Sequence, residues 1–116
     1  MSQPLPSAVR LAIGAIEDLK GQRLVVLDLR GLNDATDFFI IASGTSDTHV
    51  RGLANSVLDK LDRGGVQAHH VEGVTTGRWV LLDFVDFVVH LFHPETRSFY
   101  QLERLWSDAP SVLPGA

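Results

Sequence analysis

Two carboxylates and a histidine, Asp83, Asp86 and His90, fall inside an otherwise apolar stretch, Trp79–Phe92 (WVLLDFVDFVVHLF). Carboxylates and imidazoles are the groups from which acid–base pairs and metal sites are built. Their spacing here argues against both. Residues of a strand share a face at even separations, whereas Asp83 and Asp86 are three apart across an expected turn, where Asp more commonly caps. His90 and His93 are also three apart, without a third ligand nearby to complete a zinc site. His69 and His70 are adjacent and point to opposite faces of a strand, so one metal does not take both. His49 sits near a helix start, where positive charge is disfavoured, and reads as a neutral, exposed ring. No Ser/His/Asp arrangement is legible from spacing. The absence of cysteine removes disulfides, thiolate catalysis and cysteine-based zinc sites. Strand, Gly44-Thr45-Ser46, then helix superficially looks like a phosphate cradle. It lacks a second glycine at the required spacing and a following lysine, so a capped turn is the default. No catalytic residue, metal or cofactor is expected.

The elements that position these groups follow from periodicity. The 116 residues make one domain, with loose ends at 1–6 and 108–116. Ser7 caps a helix over Ala8–Lys20, with Val9, Ala12, Ile13, Ile16 and Leu19 on its apolar stripe and Gly21 as its stop. Arg23–Arg30 is a strand, and Asp37–Ser43 (DFFIIAS) a second one, apolar on both faces as a central strand is. A second helix carries Val50, Leu53, Ala54, Val57, Leu58 and Leu61 at helical spacing, between a Thr45 or Ser46 cap and Gly64-Gly65. Val66–Glu72 alternates like an exposed strand, Gly73–Gly77 is a loop, and Trp79–Leu82 and Phe87–Phe92 form a hairpin. Pro94 opens a short helical turn, and Leu102, Leu105 and Trp106 make a last apolar patch.

Roughly five strands thus alternate with two substantial helices, an α/β (α+β) pattern with a mixed sheet and helices mainly on one face. Two helices cover one face of such a sheet. Yet Phe38/Ile40, Phe39/Ile41, Trp79/Leu81, Val80/Leu82, Val88/Phe92 and Phe87/Val89/Leu91 supply apolar side chains to both. Because large exposed apolar patches are rare on soluble monomers, something must cover the second face: the LERLW segment, a second copy, or a different protein. A net charge of −4 and a pI near 5.6 argue against a grip on nucleic acid through a basic surface and leave open docking on a basic protein. MSQPLPS has neither the basic region nor the apolar run of a signal peptide. No stretch approaches the ~20 apolar residues of a membrane span. A cytoplasmic protein without membrane contact is the expectation.

The residues also resemble a known family. Ala35–Val50 (ATDFFIIASGTSDTHV, containing D-x-x-x-I-x-S-G-x-S), Glu72-Gly73, W-x-x-x-D-x-x-D-x-x-V-H over Trp79–His90, and F-Y-x-L-E-x-L-W over Phe99–Trp106 are together similar to the ribosomal silencing factor family, RsfS or iojap. The likeness runs from about Ser7 to Asp108. It implies a topology related to nucleotidyltransferases without their catalytic pattern. It also implies a non-enzymatic role: docking on the large ribosomal subunit through its fourteenth protein, a small β-barrel, so that the small subunit cannot join and translation is repressed. Organelle relatives act in large-subunit assembly, and homodimers are common in family crystals. Carried onto this chain, the implied partner surface is Trp79, Leu81, Asp83, Asp86, Val88, His90 and Tyr100. One position departs from the pattern: the family's usual glycine before the second Asp is Val85 here. A β-branched residue resists positive φ, so either the turn does not need it or the hairpin is wider. A competing reading is a nucleotidyltransferase-like enzyme using Gly44-Thr45-Ser46 with Asp83 and Asp86, although two carboxylates at i, i+2 soon after that turn are missing. A bare homodimerisation or assembly module is the third reading.

Overall fold

A computed structural model of the chain describes residues 5–32 and 34–96, and the backbone of 111–113. Its elements are α1 (Ser7–Asp18), β1 (Gln22–Asp28), β2 (Phe38–Ser43), α2 (Asp47–Arg63), β3 (His70–Glu72), β4 (Trp79–Asp83), β5 (Phe87–Phe92) and β6 (Ser111–Leu113). The strands form one mixed sheet in the order β3-β4-β5-β2-β1-β6. Only the central β2–β5 pair is parallel, and the other pairs are antiparallel.

Both helices pack on one face. Val9, Ala12, Ile13 and Ile16 of α1 and Val50, Leu53, Ala54, Val57 and Leu61 of α2 meet Val26, Phe38, Ile40, Val80, Leu82, Val89 and Leu91 of the sheet. Each such Val, Leu, Ile or Phe side chain, once fully buried, contributes about 1.5–3 kcal/mol. The helices are tied to each other by Ser56 Oγ donating to the Ala15 carbonyl and by a Lys60–Asp18 ion pair of 2.8 Å.

The same C-terminal device closes both helices. In α2, Gly65 N–H donates to Asp62 O and Val66 N–H to Leu61 O, with Gly65 left-handed at φ 83°. In α1, Lys20 N–H donates to Glu17 O and Gly21 N–H to Ile16 O, with Lys20 left-handed at φ 58°. These are Schellman closures. The stop of α1 therefore falls on Lys20 rather than on Gly21, which is small for a different reason: a Cβ there would overlap the Ile16 side chain. Ser7 likewise is the first helical residue and not the cap, which is Pro6 and makes no side-chain hydrogen bond.

Three other expectations are corrected. The five expected strands are joined by a sixth, because Ser111–Leu113 pairs with Val26 and Leu27 where a loose tail was expected. Without it the outer edge of β1 would leave a row of ladder groups unpaired. β3 starts at His70 and not at Val66, because Val66 N–H is spent on the α2 closure and Val66 and Ala68 pack against the helix-side core. β1 begins at Gln22 with an irregular register up to Val25, where Arg23 takes φ 52°. The chain turns helical at 94–96, as Pro94 predicts. The Leu102, Leu105 and Trp106 patch lies outside the described residues.

Candidate partner-binding face

Strand pairing fixes which residues share the face opposite the helices. Trp79 is opposite Phe92, Leu81 opposite His90 and Asp83 opposite Val88. Across β5, Val88 lies beside Phe39 and His90 beside Ile41, while Val25 and Leu27 of β1 continue those rows. Glu72 and His70 extend them on β3. Leu27, Leu29, Ile41 and Phe92 are buried here, whereas Val25, Phe39, Trp79, Leu81 and Val88 remain half-buried. The second apolar face expected from the two-sided strands is therefore present.

His90 is at its centre. Only 5% of its surface is exposed, and desolvation by burial lowers its pKa to about 4. Trp79 Nε1–H donates to His90 Nδ1 at 3.2 Å, which requires that nitrogen to be unprotonated. The Phe39 ring meets the imidazole edge-on at 4.7 Å, and Phe92 stacks with it at 6.3 Å. The ring is thus a neutral Nε2–H tautomer, and Nε2 has no hydrogen-bond partner among the described residues. A buried donor left in this state costs roughly 1–3 kcal/mol.

A groove of about 430 Å³ opens on this face, lined by Ala35, Thr36, Phe39, His69, Leu81, Asp83, Val85, Val88 and His90. A smaller hollow of about 240 Å³, lined by Glu72, Gly73, Trp79 and Leu81, adjoins it at Leu81. Of the residues carried over from the family pattern, Leu81, Asp83, Val88 and His90 line the groove and Trp79 lines the adjoining hollow. Asp86 lies just outside, exposed on the hairpin turn, and Tyr100 lies outside the described residues. By sequence Phe39 is only an apolar strand residue and His69 only a rejected metal ligand, and neither is assigned to a partner surface. The alternation that puts Ile41 on this face also puts Phe39 there, but the position of His69 depends on its N–H reaching the Asp83 carbonyl at 2.7 Å, a contact between chain segments.

His49, His70 and His93 make their contacts away from the groove. His49 is half-buried rather than exposed: Nδ1 accepts from Thr45 N–H at 2.8 Å and Nε2 donates to the Leu19 carbonyl at 2.7 Å. It thereby bridges the start of α2 and the end of α1. His93 accepts from Glu95 N–H and leans towards Asp47 at 3.8 Å, and His70 bonds Glu72 at 2.8 Å. No three metal-ligating side chains converge among the described residues.

Residues 2–115 match the family described as "Ribosomal silencing factor during starvation". The chain belongs to the ribosomal silencing factor family. It is 40% identical over 104 residues to ribosomal silencing factor RsfS of Bacillus subtilis, a match spanning 90% of this chain and 88% of that protein. With the RsfS of Chromobacterium violaceum it shares 43% over 108 residues, 92% and 88% of the two chains. Similarity extends to the chloroplastic Iojap protein of Zea mays, 38% over 113 residues, which is 95% of this chain and 48% of that protein. The fold is that of solved structures: a crystal structure from C. violaceum matches with a TM-score of 0.86 at 37% identity over 98% of this chain and 97% of that one. A second, from Bacillus halodurans, matches with a TM-score of 0.82 at 36% identity over 92% and 97%.

The departure from the family pattern at Val85 now has a geometry. Val85 takes φ 74°, and Asp86 N–H closes back on the Phe84 carbonyl at 3.0 Å, a γ-turn inside the hairpin. Asp83 Oδ1 accepts from Val85 N–H at 2.8 Å, the capping role its spacing suggested. The turn therefore demands positive φ, and a β-branched residue supplies it under strain.

The groups of the nucleotidyltransferase reading are not brought together. Gly44 N–H bonds the carbonyl of Phe92, at one end of β5, while Asp83 pairs with Val88 near the other, roughly 13 Å of strand away. Two amides at this turn and helix start are also occupied, Thr45 N–H by His49 Nδ1 and His49 N–H by Ser46 Oγ.

Proposed function

We propose that this chain silences ribosomes: it docks on the large subunit through the fourteenth large-subunit protein, a small β-barrel, and sterically prevents the small subunit from joining, so that translation is repressed. The single observation that carries this reading is the half-buried apolar face opposite the helices, centred on His90, in a chain whose family is that of ribosomal silencing factors. The surface is suited to a protein partner, since it joins aliphatic and aromatic side chains to an acidic edge in a molecule of net charge −4. In this reading the chain works in the cytoplasm as a binding module, without catalysis or cofactor, and Trp79, Leu81, Asp83, Asp86, Val88, His90 and Tyr100 make the contact. A second copy of the chain is the other occupant proposed for this face, as a homodimer.

The test is co-sedimentation with isolated large subunits, followed by addition of small subunits. The protein is expected to travel with the large subunit and to lower the yield of joined ribosomes in proportion to its occupancy. If it remains at the top of the gradient at low salt, the reading fails.

A further inference from the structure

The groove over His90 combines three features that no contact within the described molecule accounts for together. Its floor carries a donor, His90 Nε2–H, that is buried and has no partner there. Its walls are aliphatic and aromatic: Phe39, Leu81 and Val88. Its rim at the β4–β5 turn is acidic. Asp83 lines the groove itself, Asp86 stands exposed on the turn, and Asp37, also exposed, is tied to that turn by its N–H to the Asp86 carbonyl at 2.8 Å. The charged groups nearest that rim offset it only in part: Arg30 forms a bidentate pair with Asp28 at 3.0 and 2.8 Å and also interacts with the charge of Asp37, and His70 is paired with Glu72.

From this we infer that the groove is a slot for one extended, basic segment of the protein partner, with His90 as the residue that selects it. A lysine or arginine side chain lays its aliphatic stem along Leu81, Val88 and Phe39 and places its cationic head among Asp37, Asp83 and Asp86. A main-chain carbonyl of the same segment accepts from His90 Nε2–H and satisfies that buried donor. Trp79 holds the selecting ring in place: by donating to Nδ1 it forces the proton onto Nε2, so the floor offers a donor and cannot act as an acceptor. Acidic rim and neutral donor then contribute in separable ways. The rim acts through long-range charge, steers association and is screened by salt. The donor acts at contact only, and its contribution is indifferent to salt.

This inference rests on the ribosome-docking reading, and the experiment separates the two. Affinity for isolated large subunits is measured across a salt series for the wild type, Asp83→Asn/Asp86→Asn, His90→Phe and Leu81→Arg. Asparagine at 83 keeps the oxygen that Val85 N–H needs, so the turn is retained. Leu81→Arg blocks and recharges the groove from a half-buried wall position without removing the Trp79–His90 bond. The double asparagine variant is expected to bind about tenfold more weakly at low salt and to show a shallower salt dependence. His90→Phe is expected to bind about three- to tenfold more weakly with the wild-type salt dependence. Leu81→Arg should abolish binding while its thermal unfolding stays cooperative. Should His90→Phe fail to fold, the asparagine pair and Leu81→Arg decide alone. If the wild type binds subunits and these variants bind equally well, the slot is not the contact and the inference is overturned while the docking reading survives. If Leu81→Arg disrupts only self-association and leaves subunit binding intact, the groove belongs to a second copy of the chain, and the inference is likewise overturned. A wild type that does not bind subunits at all removes both.

Discussion

At the scale of single residues, His90 makes stability depend on pH in a defined window. Its pKa is about 4 when folded against 6.5 in the unfolded chain. Between those values the unfolded state binds the proton and the native state does not, so native stability must rise with pH. The contribution is fully present above pH 6.5 and is lost as pH falls towards 4, about 3 kcal/mol in all. Urea unfolding from pH 7 down to pH 4.5 is expected to show this decline in the wild type, and His90→Phe should flatten it. An equal slope in both proteins would mean that another group is responsible. Asp28 acts lower down. Its hydrogen bonds and ion pair with Arg30 hold its carboxyl below the usual 3.8, so its stabilisation is present above that value and disappears only below it. The two groups therefore leave separate signatures in one titration.

Val85 is the other residue whose role exceeds its surroundings. It is 53% exposed, so little burial offsets the cost of its positive φ. Strain of this kind costs roughly 1–3 kcal/mol, while a glycine loses about 0.5–1 kcal/mol more chain entropy on folding. Val85→Gly should accordingly raise stability by about 1 kcal/mol, seen as a shift of the urea midpoint at constant slope. A drop instead would show that the Val85 side chain makes a contact worth more than its strain.

At the scale of elements, the two Schellman closures form an internal comparison. The α2 closure uses glycine at the left-handed position and the α1 closure uses lysine. Lys20→Gly should stabilise by about 0.5–1 kcal/mol and Gly65→Ala should destabilise by about as much or more. Differential scanning calorimetry of both variants reads the two changes, and movement of both in the same direction would contradict the comparison. The same pair shows what is legible in sequence. Helix existence, the apolar stripes and the two-faced strands follow from periods of 3.6 and 2, which the residues state directly. Which of two adjacent residues, Lys20 or Gly21, turns left-handed is decided by what packs against them. Gly21 is spent on the approach to Ile16, a relation between positions that one-dimensional spacing does not encode. His49 was misjudged for a similar reason, since its partner carbonyl at Leu19 is thirty residues away. The candidate face was legible in outline: alternation groups Trp79 with Leu81 and Val88 with Phe92, and the family resemblance implied Trp79, Leu81, Val88 and His90 as a partner surface. Its groove was not, since Thr36 and His69 enter it through loops.

At the scale of the whole molecule, the sheet depends on a strand of three residues at the far end of the chain. Ser111–Leu113 covers the outer edge of β1. Deleting 111–116 should leave that edge open, lower the thermal midpoint, and promote edge-to-edge association visible by light scattering. A truncated protein that stays monomeric and equally stable would show that the edge is protected in another way. The acidic rim, the apolar face and the buried imidazole all lie on the opposite side of the sheet from α1 and α2, so the helices stabilise the domain without competing for the partner's surface.

The order of strands also carries a consequence in time. β2 and β5 lie side by side at the centre of the sheet, yet a helix and two strands separate them along the chain, and β1 finds its outer neighbour only in β6. Three of the five pairings join consecutive strands, but β2–β5 and β1–β6 close across long stretches of chain, and such non-local contacts slow folding, because long loops must close before the contacts that reward closure exist. During synthesis the first strand to emerge waits for the last. The parallel β2–β5 join, on which the face around His90 is built, therefore forms only after the chain has been made through Phe92.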